Sequence, residues 1–254
     1  MSEPVRAEAG DGVLLVTIDR PEARNAVDRA VAEGIARAME RLDADPALQV
    51  GILTGAGGFF SAGMDLKAFV AGEQPYGGDR GFAGIAERPP RKPVIAAIEG
   101  FAMAGGFEIA LACDLVVAAR GARLGIPEVK RSLVAAAGAL IRLPKRIPYH
   151  VAMELALTGD PIAAERGYEL GVVNRLAEPG QAVAVARDLA AAVARNGPLA
   201  LDASKRILRA APDWTEAEAW ARQLAIAGPV FASDDAREGA RAFAEKRDPV
   251  WQGR

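Results

Sequence analysis

Cysteine and histidine are almost absent from this sequence of 254 residues, which contains one of each. A single cysteine, Cys113, excludes an internal disulfide and is typical of a protein from a reducing compartment. Because one cysteine and one histidine are too few for a His/Cys metal site, we expect no metal. These counts predict a cytoplasmic protein whose cysteine is a buried structural thiol.

The sequence also lacks an excess of charge of one sign and long apolar runs. Its net charge is −2, and without a basic stripe this gives no support to nucleic-acid binding. No apolar run is long enough to span a membrane, and residues 1–10 carry acids instead of the apolar centre of a signal peptide. A Ser–His–Asp triad would need His150, and no G-x-S-x-G segment accompanies it.

Apolar residues, in contrast, make up 51% of the chain, enough for a sizeable core. Residues 13–18 and 50–54 form short β-rich runs, and between them apolar residues recur at helical spacing after Asp28, a typical N-cap. This strand–helix–strand order predicts an α/β unit. Asp65 is predicted to cap the next helix.

The second half of the chain becomes helical. We predict strands at 94–98, 115–119 and 172–173, and helices at 107–112, 132–143, 148–157, 161–170, 181–195, 199–210, 215–227 and 234–245. The change to helices alone places a soft boundary near residue 197. It divides the chain into a mixed core, 1–196, and a helical C-terminal region, 197–254.

Three loops carry competing interpretations. Residues 55–60 follow a strand and are rich in glycine, but Phe60 occupies the place where a dinucleotide-binding loop needs a small residue. Residues 71–90 are rich in glycine, proline and charge, and predict a long mobile loop that could act as a lid. Residues 88–92 are basic, which fits either a solvated loop or a contact with a phosphate-bearing ligand.

Two glutamates stand out near the middle of the chain. Gly105 and Gly106 can begin a helix with free N–H groups, which suit an oxygen that becomes anionic. Glu108 lies in the first turn among apolar neighbours, and Glu128 follows a rigid Gly-Ile-Pro turn. Separately, these residues fit favourable charge placement at a helix terminus and a surface turn. Together they fit acid–base chemistry on a substrate activated by a carbonyl group.

The segments around these residues resemble the signature of the enoyl-CoA hydratase (crotonase) family. They read K-P-V-I-A-A-x-x-G, A-x-x-G-G-x-E, C-D and x-P-E, and upstream residues 53–66 match L-T-G-x-G-x-x-F-x-A-G-x-D-L. The resemblance covers nearly the whole chain. It implies an α/β fold, the crotonase-like spiral of ββα units with a helical C-terminal oligomerisation region, assembled as a homotrimer or a dimer of trimers.

The resemblance also implies a reaction, the reversible addition of water to trans-2-enoyl-CoA in fatty acid or related acyl-CoA degradation. By motif position, the catalytic residues are Glu108 and Glu128, and the oxyanion-hole amides are those of Met64 and Gly105. No separate cofactor is implied, because coenzyme A is part of the acyl-CoA thioester substrate. The implied coenzyme A and substrate contacts are Arg24, Ala26, Val27, Ala62, Asp65, Leu66, Lys67, Phe243 and Lys246.

The sequence departs from the commonest family pattern at three places. Ala104 replaces a frequent glycine, Phe107 puts a bulky ring beside Glu108, and residues 134–138 replace a Pro-Gly-rich stretch. We expect these changes to alter the acyl pocket. The alternatives are a double-bond isomerase of the same fold, which commonly uses one carboxylate at the position of Glu128, and a non-catalytic acyl-CoA-binding protein. The presence of both glutamates favours the hydratase.

Overall fold

The computed structural model describes residues 3–254 as nine strands and ten helices, joined by turns and short 3₁₀ segments. The strands are β1 (Val5–Gly10), β2 (Val13–Ile18), β3 (Val50–Gly55), β4 (Val94–Ile98), β5 (Phe101–Met103), β6 (Leu115–Ala119), β7 (Arg123–Gly125), β8 (Ile162–Ala163) and β9 (Arg175–Ala177). The helices are α1 (Arg29–Ala44), α2 (Leu66–Val70), α3 (Gly105–Ala112), α4 (Ala139–Arg142), α5 (Tyr149–Thr158), α6 (Ala164–Glu169), α7 (Ala182–Ala194), α8 (Pro198–Ala210), α9 (Glu216–Phe231) and α10 (Asp234–Glu245). None of the helices described has the length and apolar character needed to cross a membrane.

A six-stranded sheet in the order β1-β2-β3-β4-β6-β9 forms the centre of the fold. The β1–β2 pair is antiparallel, and every other pair in this sheet is parallel. Strand β4 is buried along its whole length. This burial explains why the inner strands read as continuous apolar runs and not as alternating ones.

Helices cover both faces of this sheet. On one face, α7 presents Ala182, Ala186 and Ala190, which recur every four residues and pack with Ile52 and Ile95. Side chains of this size let the helix axis approach the strands closely. The opposite face packs against α1, whose apolar positions are buried as their spacing predicts: Val31, Ile35, Ala38, Met39 and Leu42.

A smaller sheet, β5-β7-β8, aligns the segments that carry the candidate site. Strands β5 and β7 are parallel, with Met103 opposite Gly125, and the Ala104 amide donates to the Gly125 carbonyl at 2.9 Å. Ser61 pairs in parallel with Ala102 on the other side of β5. Three segments that are distant in the sequence therefore end side by side at one edge.

Local signals in the first third of the chain are confirmed. The Asp28 carboxylate accepts from the Val31 amide at 2.9 Å and caps α1. The Asp65 carboxylate accepts from the amides of Lys67 and Ala68 and caps α2. Both are aspartates at helix N-caps, where a short acceptor side chain replaces the missing intrahelical partner.

The predicted helix at 132–143 is wrong over most of its length. Only α4 is helical, followed by a 3₁₀ turn at Leu143–Lys145. Gly138 has φ of +113°, which a right-handed helix does not allow. The amide of Ala139 donates to the Glu108 side chain instead of to a helical carbonyl, so a tertiary contact overrides the helix propensity of the alanines.

The prediction of a mobile lid at 71–90 is wrong for its middle part. Residues 80–86 are all buried. Arg80 is only 4% exposed, and its guanidinium donates to the Arg88 carbonyl at 2.9 Å and lies near Asp43. A segment with this many buried groups is part of the core and not a lid.

Two boundaries in the second half also differ. Residues 161–170 form the short strand β8 and then α6, instead of one helix. Residues 172–173 are buried but are not a strand. Pairing with β6 begins only at Asn174, whose amide donates to the Val116 carbonyl and whose side chain accepts from the Val116 amide. The last strand, β9, therefore lies after the predicted position.

The C-terminal helices are attached to the sheet by a half-buried lysine. The Lys205 ammonium of α8 contacts the Asp114 carboxylate at 2.6 Å and the Lys92 carbonyl at 2.9 Å. Asp114 also accepts from the Val94 amide at the start of β4. The helices predicted at 199–210, 215–227 and 234–245 are confirmed with small shifts at their ends. The division into two regions at 197 stays a prediction.

Candidate active site

Two backbone amides are brought together where β5 ends. A Cβ atom added to Gly63 would lie 2.6 Å from the Gly105 nitrogen, so the segment before Met64 is packed directly against the start of α3. A Cβ on Gly106 would lie 2.2 Å from the Ser61 carbonyl oxygen. This close packing requires glycine at both positions. Among residues 3–254, the N–H groups of Met64 and Gly105 have no hydrogen-bond acceptor.

Glu108 lies one turn into α3 and is 3% exposed. Its Oε1 accepts from the Ala139 amide at 3.0 Å. The pKa of this carboxyl is raised to about 7, chiefly by burial and in part by the nearby Glu128, while the Ala139 and Ala137 amides and Arg142 oppose the rise. At neutral pH such a group can both accept and release a proton.

Glu128 follows β7 through Ile126 and Pro127 and is the second residue of the 3₁₀ turn Pro127–Arg131. Its Oε2 is buried and has no partner within residues 3–254. Burial raises the pKa of Glu128, while its own backbone amide and then Arg131 oppose the rise. Because β5 and β7 are parallel neighbours, the two carboxylates that follow these strands reach the same edge of the small sheet.

Both glutamates and both amides line one cavity of about 670 Å³. Arg24, Glu87 and Arg131 add charged groups to its wall. The rest of the wall is mostly apolar and includes Leu66, Phe69, Phe82, Phe101, Met103 and Leu133. An apolar cavity with a few convergent polar groups is typical of a small-molecule site. Within residues 3–254, no three His, Cys, Asp or Glu side chains are grouped to hold a metal ion.

Comparison with known proteins places the chain in a family. A sequence model described as Enoyl-CoA hydratase/isomerase matches residues 8–254. The chain is a member of the enoyl-CoA hydratase/isomerase family. Enoyl-CoA hydratase EchA19 of Mycobacterium tuberculosis is 44% identical to it, over 95% of this chain and 93% of that protein. A carnitinyl-CoA dehydratase of Salmonella typhimurium is 42% identical, with both chains covered completely.

Solved structures of family members share the fold. Enoyl-CoA hydratase EchA1 of Mycobacterium marinum superimposes with a TM-score of 0.98 at 57% identity, and both chains are fully covered. A carnitinyl-CoA dehydratase of Mycobacterium avium superimposes with a TM-score of 0.80 at 42% identity, again over both whole chains. The predicted α/β fold of the crotonase class is confirmed by these family members.

Most of the predicted site residues lie in the cavity wall. Glu108 and Glu128 do so, with the two residues whose amides were assigned to the oxyanion hole. Three of the predicted coenzyme A contacts line the cavity as well. These seven wall residues are Arg24, Ala62, Met64, Leu66, Gly105, Glu108 and Glu128.

Three other predicted contacts, Ala26, Val27 and Asp65, lie next to the cavity wall and form hydrogen bonds that support it. The Val27 amide donates to the Gly63 carbonyl, and its carbonyl accepts from Asp65, which fixes the path of the chain at Met64. The carbonyl of Ala26 and the Asp65 carboxylate both accept from the Arg20 guanidinium. These residues position the amide of Met64 and do not line the cavity themselves.

The remaining predicted contacts do not reach the cavity of a single chain. Lys67 and Lys246 are exposed, and the Phe243 ring is 87% exposed. None of them belongs to the cavity wall, and neither does the basic stretch at 88–92. In that stretch, Arg88 pairs with Asp79, and the Lys92 ammonium donates to the Asp45 carbonyl. The contact of Lys67, Phe243 and Lys246 with coenzyme A stays a prediction.

Sequence reasoning missed the amide of Ala139, which is the partner of Glu108. The signal that could have found it is Gly138, an isolated glycine in a predicted alanine-rich helix. Such a glycine often marks a break where the backbone turns with positive φ. The stretch 134–138, which differs from the common family pattern, therefore affects the hydrogen bond to Glu108 as well as the shape of the pocket.

Ala104 precedes the amide of Gly105 and has φ of +52° and ψ of −132°. Glycine adopts these backbone angles easily, whereas alanine is strained in them by roughly 1–3 kcal/mol. The strain agrees with the frequent glycine at this place in the family pattern. Ala104 keeps this conformation because its amide donates to Gly125 and because Gly63 lies against it.

We predict that Ala104→Gly raises the free energy of unfolding by about 1–2 kcal/mol, because relief of strain exceeds the added entropy of the unfolded chain. Urea unfolding would measure the change. The matched control is Ala191→Gly on the exposed side of α7, which should lose about 1 kcal/mol. A loss of similar size at Ala104 would show that its conformation is not strained.

Proposed function

We propose that the protein is an enoyl-CoA hydratase, a hydro-lyase that adds water reversibly to trans-2-enoyl-CoA and forms 3-hydroxyacyl-CoA. The observation that carries the proposal is that Glu108 and Glu128 face one cavity beside the free amides of Met64 and Gly105. A double-bond isomerase needs one carboxylate, and a non-catalytic binding protein needs neither. Two carboxylates with raised pKa values, Glu108 buried and Glu128 half-buried, favour the addition of water.

In the proposed reaction, the two amides donate to the thioester oxygen. They draw electron density from the conjugated double bond, so that C3 becomes electrophilic. Stabilising the enolate oxygen in this way is worth roughly 3–4 kcal/mol for each donor. Both donors come from the backbone and are fixed before the substrate arrives, so they cost little reorganisation.

Each of the two carboxylates carries out one proton transfer. Ionised Glu108 takes a proton from water as the water oxygen bonds to C3. Protonated Glu128 gives its proton to C2, and the thioester carbonyl is restored. Glu108 then returns its proton to Glu128 through solvent, which completes the cycle without a separate cofactor.

We expect the purified protein to remove the enoyl-thioester absorbance of crotonyl-CoA, and Glu108→Gln and Glu128→Gln each to lower kcat by about 10²- to 10⁴-fold. Glutamine keeps the shape of each side chain and removes its proton chemistry. The control is Glu154→Gln on the exposed face of α5, which should stay within twofold of the parent. Hydration that survives both active-site substitutions would reject the proposed roles.

The pH dependence follows from the raised pKa of Glu108. Since the acid Glu128 must be protonated, kcat/KM should fall at high pH; since the base Glu108 must be ionised, it should also fall below about pH 7, by about tenfold per pH unit well below that value. Initial rates from pH 5.5 to 8 would measure this limb, with circular dichroism to show that the protein stays folded. A rate independent of pH across this range would contradict Glu108 as the base.

A second candidate substrate is carnitinyl-CoA, whose acyl group carries a quaternary ammonium. Water elimination from it would use the same carboxylates in reverse. Tyr76, Phe82 and the Glu87 carboxylate line the cavity, and aromatic faces with a carboxylate suit such a cation. In the assay above, dehydration of carnitinyl-CoA at a higher kcat/KM than hydration of crotonyl-CoA would favour this substrate.

We also propose that the protein assembles as a homotrimer or a dimer of trimers through its helical C-terminal region. Helix α9 exposes Trp220, Leu224 and Phe231, each more than 60% accessible in the single chain. Large apolar side chains exposed together on one helix typically mark an interface.

Sedimentation should give the mass of three or six chains, and Leu224→Asp should shift it toward one chain because a buried unpaired charge is costly. Ala217→Asp is the control, since it places the same charge in the first turn of α9, where an acid is tolerated. A monomeric parent protein would overturn the proposed assembly.

We further propose a cytoplasmic location, which the free, buried thiol of Cys113 supports. Cell fractionation would test it, and recovery from an oxidising compartment would refute it.

A further inference from the structure

Arg142 is a partly buried arginine behind the candidate site, and it does not line the cavity. It ends α4, three residues after the Ala139 amide that donates to Glu108. Its guanidinium donates to the Ala137 carbonyl at 3.2 Å and to the Ala86 carbonyl. The first of these carbonyls belongs to the segment that leads into Ala139, and the second to the buried segment 80–86.

We propose that Arg142 is a positioning residue for Glu108: its planar guanidinium joins the Ala137 and Ala86 carbonyls and thereby holds the Ala139 amide at the carboxylate. The inference rests on the proposed function and extends it to a residue outside the cavity wall.

Gly138 supports this arrangement. It lies between the carbonyl that Arg142 binds and the amide that Glu108 binds, and it has φ of +113°. A Cβ atom at Gly138 would lie 2.0 Å from the Arg142 Nη1 atom. The guanidinium therefore lies directly on the peptide backbone of this turn. The absence of a side chain at Gly138 allows both the turn and the contact.

The geometry requires an arginine and not simply a positive charge. Its fork presents several N–H donors in one plane, so it can reach two carbonyls at once, whereas a lysine offers a single ammonium on a flexible stem. Helix propensity cannot hold this segment, because α4 has only four residues and Gly138 breaks the helical path. The Arg142 bridge is the polar contact that ties the segment to residues 80–86.

Arg142 also acts on Glu108 through its charge, which lowers the pKa of that carboxyl, whereas Glu128 raises it. On its other side Arg142 faces Arg146, Arg209 of α8 and the Cys113 thiol, and burial together with the two arginines lowers its own pKa. Removing Arg142 therefore relieves repulsion among the three arginines. This relief favours retention of the fold in the variants below.

The test compares Arg142→Gln and Arg142→Lys with the control Arg146→Gln. Arg146 carries the same charge four residues further along and contributes no hydrogen bond to the Ala86 or Ala137 carbonyl within residues 3–254. We expect both Arg142 variants to lower kcat for crotonyl-CoA hydration by roughly tenfold to a hundredfold, since small misplacements of a catalytic group have effects of this size. KM should change less than about threefold, because the cavity wall is unchanged.

The second readout is the titration of Glu108 in the free protein. Infrared spectroscopy can follow the carbonyl stretch of the protonated acid, assigned by its loss in Glu108→Gln. Loss of the cation and of a fixed amide donor both favour the neutral acid. In Arg142→Gln the midpoint should therefore move to higher pH by about half a unit or more, while Arg146→Gln should leave it in place.

The outcomes separate this inference from the proposed function. Hydration by the parent protein, with kcat and the Glu108 midpoint unchanged in both Arg142 variants, would overturn the inference and leave the hydratase intact. An equal displacement of the midpoint in Arg146→Gln would also overturn it, because general charge would then explain the effect. If the parent protein does not hydrate enoyl-CoA, a displaced midpoint in Arg142→Gln alone would still support the positioning role.

Discussion

The candidate site depends on the parallel alignment of three short chain segments that end at the same edge. The Met103 amide donates to the Ser61 carbonyl on one side of β5, and the Ala104 amide donates to the Gly125 carbonyl on the other. These backbone bonds decide where Met64, Gly105 and Glu128 lie when each segment ends. Parallel strands place their carboxyl ends together, so residues far apart in the sequence become neighbours without long side chains having to reach across the fold.

Burial gives the two carboxylates their chemistry and also makes them costly to hold. A carboxylate in a cavity lined by apolar residues such as Phe82, Met103 and Leu133 loses hydration, which favours the neutral acid. The amide of Ala139 partly compensates Glu108, whereas one oxygen of Glu128 has no partner among residues 3–254. This difference in support distinguishes the two glutamates, which the sequence presents as equivalents. In the proposed reaction this difference suits each to a different proton transfer, with one already hydrogen-bonded and the other open to the substrate.

Sequence reasoning succeeded where local chemistry decides the structure and failed where a tertiary contact decides it. The caps at Asp28 and Asp65, the start of α3 at Gly105 and the apolar strands follow from spacing and composition. The alanines before residue 139 predict a helix that does not form. The Ala139 amide donates to the Glu108 carboxylate and not to a helical carbonyl. The segment containing Arg80 has glycines and charges that are typical of a loop and predict a lid, although its arginine finds acceptors inside the fold. The convergence of Glu108 and Glu128 needed the family resemblance, since spacing alone does not pair β5 with β7.

The free N–H groups of Met64 and Gly105 affect which substitutions the site can accept during evolution. They belong to the main chain, so most replacements of the methionine side chain would leave the donor in place. The groups proposed to move protons, Glu108 and Glu128, are side chains, and a single base change can remove either one. If these amides bind a carbonyl oxygen as proposed, that contact is kept when the side chains beside it change, so that one pocket can serve several reactions.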